Sequence, residues 1–238
     1  MENFLLISII VLLFVIFISY IIFRIVNAYY NRKLFETVSE LDRGTESERD
    51  LVLGLLKFGV PSEDIFHDLY IPRYKNNFSQ VDLVIVTKVG IMVFEVKDYS
   101  GWIFGNGKQQ KWTQVLAYGQ QKYYFYNPII QNNNHISELR KQLRLSQEIP
   151  FYSIIVFYGY CELKDISFVP QGTFIATPRR VLDVIRNIII NNISVNYSDK
   201  NKILQTLSEY VKNGKNIKTQ IQHIENIKEM LGEHRVFK

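Results

Sequence analysis

The chain has 238 residues, of which 47% are hydrophobic and 14% aromatic, and this composition excludes a wholly disordered protein. Its 28 basic and 23 acidic residues leave a formal charge of +5, which is compatible with a phosphate-rich partner but does not require one. The single cysteine, Cys161, excludes an intrachain disulfide.

The N-terminus is strongly apolar, with 20 uncharged residues from Phe4 to Phe23. As an α-helix this stretch is about 30 Å long, the thickness of a bilayer core. We therefore predict a transmembrane helix at residues 4–26. A secretory signal peptide cleaved near Val26–Ala28 is the alternative, but no basic residue precedes the apolar run, and the run is long for such a signal.

The charges that flank this segment predict its orientation. Only Glu2 precedes it, whereas Arg24, Arg32 and Lys33 follow it. Basic residues are retained on the cytoplasmic side, so we predict a single-pass protein of the cell membrane whose soluble domain faces the cytoplasm. Residues 27–44 are predicted to be a juxtamembrane linker or short helix.

The rest of the chain alternates helical and β-rich patterns. A helix is predicted at "ESERDLVLGLLKFG", strands at "DIFHDLYIP", "QVDLVIVT" and "IMVFEVKDY", and a hairpin at "GWIFGNGKQQKWTQVL". Asn-Pro opens the helix "NPIIQNNNHISELRKQLRLS", and the strands "FYSIIVFYGY" and "GTFIAT" follow. The helix "PRRVLDVIRNIII" and two amphipathic helices, near residues 203–211 and 217–231, end the chain. This alternation predicts an α/β domain.

Two charged residues interrupt the apolar strand at residues 91–96, and a paired register explains them. If the preceding loop is centred on Lys88-Val89, paired positions sum to 177, and Asp82 lies opposite Glu95 on the face that Lys97 shares. An odd loop length would break this register. Two opposed carboxylates repel each other unless a divalent cation lies between them. The alternative is a salt bridge from Lys97 to Glu95 or Asp82.

Glu48 is a third candidate acid. On a helical wheel it lies in the apolar stripe of the first predicted helix, whereas Glu46 and Asp50 point away from that stripe. A carboxylate on the packing face is suited to a metal site beneath the helix. The alternative is a first-turn glutamate that the helix dipole favours.

Several spaced motifs together resemble a known family, the NERD (nuclease-related) domain of the PD-(D/E)xK nuclease-like superfamily. They run from about Gly44 to Leu139 and read "GTESERDLV", "HDLYIP", "QVDLVIV", "GIMVFEVKDYSGWIFGN", "KWTQ" and "NPIIQNNNHISEL". The resemblance implies a mixed sheet flanked by helices, with a NERD-like nuclease domain at residues 45–160. Residues 161–238 are then a C-terminal α/β extension packed on the same domain.

The resemblance also implies roles for individual residues. Asp82 and Glu95 would bind Mg²⁺, or Mn²⁺ in its place, and Lys97 would activate water or stabilise charge. Glu48 would bind metal or position water, although Ser47 stands where family members often have a second glycine.

Gln131 and His135 belong to the helix motif of the family. Gln131 either faces the site from the helix edge or is solvated, and we expect His135 at the surface or a boundary rather than as a ligand. Trp102 and Trp112 could stack on a base, but packing in the core is the favoured interpretation.

Two functions from different classes follow. The first is a membrane-anchored, Mg²⁺-dependent nuclease that hydrolyses phosphodiester bonds, in DNA rather than RNA, and uses Glu48, Asp82, Glu95, Lys97 and Gln131. The second is a catalytically inactive module that binds nucleic acid or acts as a scaffold at the membrane, held to the lipid bilayer by residues 4–26. The retained cluster of Asp82, Glu95 and Lys97 favours the enzyme.

Overall fold

The computed structural model describes residues 2–73, 77–144, 149–216 and 219–221. The helices are α1 (Glu2–Phe35), α2 (Glu46–Phe58), α3 (Pro128–Gln142), α4 (Pro178–Asn191) and α5 (Lys200–Asn213). The strands are β1 (Ile65–Pro72), β2 (Phe78–Thr87), β3 (Gly90–Asp98), β4 (Gly101–Asn106), β5 (Lys111–Leu116), β6 (Gln121–Tyr126), β7 (Phe151–Tyr158), β8 (Cys161–Ser167) and β9 (Thr173–Ala176).

The larger sheet has five strands in the order β1-β2-β3-β7-β9. Strands β1 to β3 form an antiparallel meander, whereas β7 and β9 are added in parallel. Helices cover both faces, which is why β3 and β7 are apolar along most of their length. Leu51, Val52 and Leu55 of α2 pack with residues of α4 on one face, and Leu139 of α3 packs with residues of α5 on the other.

A second sheet of four strands, in the order β6-β5-β4-β8, was not expected from the sequence. The hairpin of β4 and β5 was predicted. Strand β6 ("QKYYFY") lacks the apolar alternation that marks a half-buried strand, and β8 ("CELKDIS") shows it only from Cys161 to Lys164. The predicted fold class is confirmed, because the molecule consists of two mixed sheets flanked by helices after a long apolar helix.

The predicted register of the β2–β3 hairpin is confirmed. Pairs from Leu83↔Phe94 to Thr87↔Gly90 all sum to 177, with Lys88-Val89 as the two-residue turn. The register matters for function because Asp82 and Glu95 are the next residues after the last recorded pair.

The N-terminal helix is longer than the predicted span. It continues to Phe35, so nine residues of the predicted linker at 27–44 are helical, and Phe35 is buried in the core beside α2. Within the described residues one helix, Asn3–Phe35, is long and apolar enough to cross a membrane, with a mean hydropathy of 3.2 over its most apolar 18 residues.

The segment after residue 160 contributes to both sheets, because β8 pairs with β4 and β9 pairs with β7. The boundary between residues 45–160 and 161–238 remains a prediction. Helix α5 is amphipathic as predicted and buries Ile203, Leu207 and Tyr210. The second closing helix, predicted near residues 217–231, lies mostly outside the described residues.

Candidate metal and nucleic-acid site

Asp82 lies where β2 and β3 stop pairing and where one pair is missing between β1 and β2. Pairing of β2 with β3 stops at Leu83↔Phe94, and pairing of β1 with β2 skips from His67↔Leu83 to Leu69↔Val81. The Asp82 carboxylate accepts a hydrogen bond of 2.7 Å from the Val96 N–H, which holds it against β3. Burial and the nearby charges of Glu95 and Glu48 raise the pKa of Asp82 well above its ordinary value.

Glu95 is the most deeply buried acid of the site, with 1% of its surface exposed. Its Oε1 lies 2.5 Å from Lys97 Nζ, and its buried Oε2 has no hydrogen-bond partner. Burial by itself would raise the pKa of Glu95, but Lys97 and His135 outweigh it and keep that pKa below the ordinary value. Glu95 is therefore an anion whose buried Oε2 lies 3.4 Å from His135 Nε2.

Lys97 is held by two partners. Its Nζ donates to Glu95 Oε1 and to Gln131 Oε1, the latter at 3.1 Å. Burial disfavours the ammonium, yet the carboxylates of Glu95 and Asp82 raise the pKa of Lys97 above its ordinary value. Lys97 is thus a fixed cation at neutral pH, and the salt bridge weighed from the sequence is present within the cluster.

Helix α3 brings Gln131 and His135 to this cluster. Asn127 caps the helix by accepting from the Ile129 N–H, and Pro128 occupies its first turn. Gln131 faces the site, which decides between its two sequence interpretations. The expectation of a surface or boundary position for His135 was wrong: it is buried, with Nε2 3.4 Å from Glu95 Oε2 and Nδ1 3.0 Å from Ser79 Oγ.

Glu48 extends from α2 toward the cluster, on the side opposite to α3. The predicted packing-face position is confirmed, because Glu48 is buried while Glu46 and Asp50 are exposed. Thr45 caps the helix and donates to Glu48 Oε1 at 2.8 Å, so the first-turn interpretation holds as well. Burial opposes ionisation, but hydrogen bonds from His67 and Thr45 lower the pKa of Glu48.

His67 was missed by sequence reasoning, although it lies in the motif "HDLYIP". It is fully buried on β1, with Nε2 3.4 Å from Glu48 Oε2 and Nδ1 2.9 Å from Ser39 Oγ. Glu48 and Glu95 each therefore have a buried histidine whose other ring nitrogen meets a serine hydroxyl. The sequence did contain a signal for His67, because it is a polar residue at a position of a predicted strand where an apolar core residue is expected.

Gly44 is required by this packing. Its φ is +66°, and a Cβ atom there would lie 2.4 Å from His67 Nε2 and 2.7 Å from Glu48 Oε2. We expect Gly44→Ala to lower the free energy of unfolding by about 1–3 kcal/mol through overpacking and to lower any activity that depends on Glu48. Urea unfolding measures the first effect. Gly54→Ala is the matched control, because nothing lies within 4 Å of its Cβ and α2 should gain about 0.5–1 kcal/mol; equal effects would contradict the close packing at Gly44.

The donor set fits a divalent cation that retains water. Carboxylate oxygens are the ligands Mg²⁺ and Mn²⁺ favour, and Mg²⁺ typically binds one or two carboxylates, several waters and substrate phosphate. Across the described ranges, no group of three His, Cys, Asp or Glu side chains could hold a metal ion by itself. Asp82 and Glu95, the latter with a buried oxygen that makes no hydrogen bond, suit an ion shared with substrate.

Ser47 and the two tryptophans take clear positions. Ser47, at the family's second glycine, is buried and donates to the Asp98 carboxylate, so α2 is tied to the end of β3.

Trp112 is 1% exposed and stacks on Phe157 at 6.0 Å, which confirms the core interpretation for this residue. Trp102 is only partly buried.

Comparison with known proteins agrees with this arrangement. Residues 43–158, which include all the side chains of the cluster, match the family model of the nuclease-related domain, NERD. This segment is a nuclease-related domain. The resemblance stated from the motifs is thereby confirmed, and the domain points to a nuclease-like or nucleic-acid-related function.

An uncharacterized protein of Bacillus anthracis is similar to the chain. The two are 29% identical over 125 residues, which is 52% of this chain and 57% of the relative. The chain thus spans little more than half of that relative's length. No solved structure matches the chain significantly.

Proposed function

We propose that the chain is a membrane-anchored, Mg²⁺-dependent nuclease that hydrolyses phosphodiester bonds, with DNA favoured over RNA. The observation that carries the proposal is the meeting of Asp82, Glu95 and Lys97 where β2 and β3 separate, inside the nuclease-related domain. A domain without catalysis has no physical need to bring two acids and a lysine together at partly buried positions, since like charges destabilise a sheet.

Each residue would have a distinct task. Asp82 and Glu95 would hold the cation, which when bound supplies an acidified water and neutralises phosphate charge. Lys97 is a cation at neutral pH, so it would stabilise the charge that develops on the phosphate rather than accept a proton. Gln131 would keep the Lys97 ammonium in place, and Glu48 would position water or complete the ion's surroundings.

The second candidate, an inactive module that binds nucleic acid or a partner at the membrane, has one observation in its favour. The described residues contain no preformed three-ligand metal cluster. The two functions are separated by incubating the full chain, in detergent micelles, with labelled DNA and RNA with and without Mg²⁺ or Mn²⁺. Metal-dependent cleavage is expected. Binding of nucleic acid without cleavage in either metal would instead support the inactive binding module.

The anchor is proposed to cross the cell membrane with the domain in the cytoplasm. Protease added outside intact cells is expected to leave residues 45–238 uncut, because Arg24, Arg32 and Lys33 retain that flank inside. Immunoblotting of a C-terminal tag measures the result. Permeabilised cells provide the control, in which the same protease should degrade the domain. Loss of the tag in intact cells would contradict the cytoplasmic orientation and show that the domain lies outside the cell.

A further inference from the structure

The second sheet carries an unusual surface. Residues 101–127 contain eight aromatic residues and three lysines but no acidic residue. Two of these aromatic residues, Trp112 and Phe125, belong to or border the small core beneath this sheet, which also contains Phe157 of β7. The remaining aromatic side chains need another explanation.

The register separates the two faces of this sheet. Phe125 of β6 pairs with Trp112 of β5, and both face the core. Tyr124 and Tyr126 alternate with Phe125 and so point to the outer face, where they are 69% and 48% exposed. Two adjacent tyrosines on the outside of a strand are therefore accessible to a ligand.

Lysines and further aromatic residues share this outer face. Tyr126 pairs with Lys111, and Tyr124 pairs with Thr113, which in turn pairs with Phe104 of β4. In the next row Lys122 pairs with Val115, and Val115 pairs with the partly exposed Trp102. Because neighbouring strands lie about 4.8 Å apart and alternate residues about 7 Å apart, these aromatic rings and ammonium groups share one face of the sheet. At the edge of that face, β8 adds Glu162 opposite Trp102 and Asp165 opposite Phe104. We call Trp102, Phe104, Lys111, Lys122, Tyr124 and Tyr126 the aromatic face.

The sheet that carries the aromatic face packs beside the candidate site. Phe125, between the two tyrosines, packs on Tyr99 with ring centroids 4.6 Å apart, and Tyr99 lies two residues after Lys97. Tyr126 is followed directly by Asn127, the cap of α3, and Gln131 of that helix accepts from Lys97. Strand β6 therefore lies next to the catalytic cluster, through contacts on the inner side of the sheet.

We propose that the aromatic face binds single-stranded nucleic acid beside the site, an inference that rests on the proposed nuclease function. Bases stack on exposed aromatic rings without sequence preference, and lysines interleaved with the rings neutralise the phosphates. A duplex hides the faces of its bases and cannot stack in this way. The face thus selects single strands over duplexes.

Binding can be measured without cleavage. The full chain carrying Asp82→Asn, in detergent micelles, is titrated into fluorescein-labelled single-stranded DNA, single-stranded RNA and duplex DNA, with anisotropy as the readout. We expect Tyr124→Ala/Tyr126→Ala to weaken binding of both single strands about ten-fold or more and binding of the duplex less than about two-fold. Tyr160→Ala, at a 98% exposed tyrosine outside the face, is the matched control and should change neither.

The lysines give an independent readout. Lys111→Ala/Lys122→Ala should make the dependence of log affinity on log salt less steep by about 1.4 for single strands, since each lost phosphate contact contributes about 0.7. The tyrosine variant should leave this slope unchanged. Unchanged affinity in the tyrosine variant, or equal weakening for duplex and single strand, would overturn the proposal.

Two other occupants give different results. Quenching of Trp102 fluorescence by brominated lipids in nanodiscs would assign the face to the bilayer. If wild type forms dimers and the tyrosine variant does not, the face would be assigned to a second copy of the chain. Either result would overturn the proposal. The nuclease function fails separately, because a wild type that binds single strands through this face but cuts nothing would leave the face in place.

Discussion

Replacing Lys97 by alanine is expected to lower the rate of phosphodiester cleavage at saturating substrate about 100- to 1000-fold, or about 3–4 kcal/mol. Asp82 and Glu95 remain to hold the cation, but the ammonium that balances charge on the phosphate is gone. Affinity for nucleic acid should change little, because one lysine supplies a single phosphate contact. Single-turnover cleavage and anisotropy measured on the same preparation separate the two effects.

Lys215→Ala is the matched control for this variant. Lys215 pairs with Glu40, as Lys97 pairs with Glu95, but at the exposed surface. Its removal should leave the cleavage rate within about two-fold of wild type. A Lys97→Ala protein that melts like wild type and still cuts at the wild-type rate would remove Lys97 from the catalytic group.

Asp82→Asn is expected to separate stability from metal binding. Without metal the variant should melt no lower than wild type, because it loses the repulsion from Glu95 and Glu48 while the amide oxygen still accepts from the Val96 N–H. Saturating Mg²⁺ at about 100 times its dissociation constant should stabilise wild type by about 2.7 kcal/mol, and the variant much less. Differential scanning fluorimetry with and without the ion measures both.

The pH dependence of this difference has a defined sign. The pKa of Asp82 is raised in the folded state, so its protonated form stabilises the protein at low pH, and that contribution is lost as pH rises through the raised pKa. The metal-free advantage of Asp82→Asn should therefore be largest at neutral pH and shrink toward pH 4. Asp165→Asn, at an exposed aspartate, is the control. Equal Mg²⁺-induced shifts in wild type and Asp82→Asn would exclude Asp82 as a ligand.

Much of the site was predictable because it depends on local periodicity. A two-residue turn and strand alternation were enough to predict the register of β2 and β3 as far as Leu83↔Phe94, next to Asp82 and Glu95, and the helical wheel was enough to turn Glu48 inward. These features require only short-range geometry, which the order of residues determines.

The parts that escaped prediction depend on contacts between distant segments. His135 is buried because Ser79 of β2 meets its ring, and His67 is buried because the chain before α2 folds over it at Ser39. Strand β6 forms because β5 offers it an edge, not because "QKYYFY" has a core face of its own. No periodicity within one segment reports such partners.

The unbroken course of α1 sets how far the domain can reach. Between Val26, where the predicted span ends, and Phe35 the helix rises only about 14 Å, and Phe35 is fixed in the core with its ring 5.9 Å from that of His67. With α1 in a bilayer, the domain is connected to the membrane by a short continuous helix and not by a flexible linker. Cleavage would then be confined to a thin layer beneath the membrane, and its rate would follow the amount of nucleic acid entering that layer rather than the concentration in the whole cell.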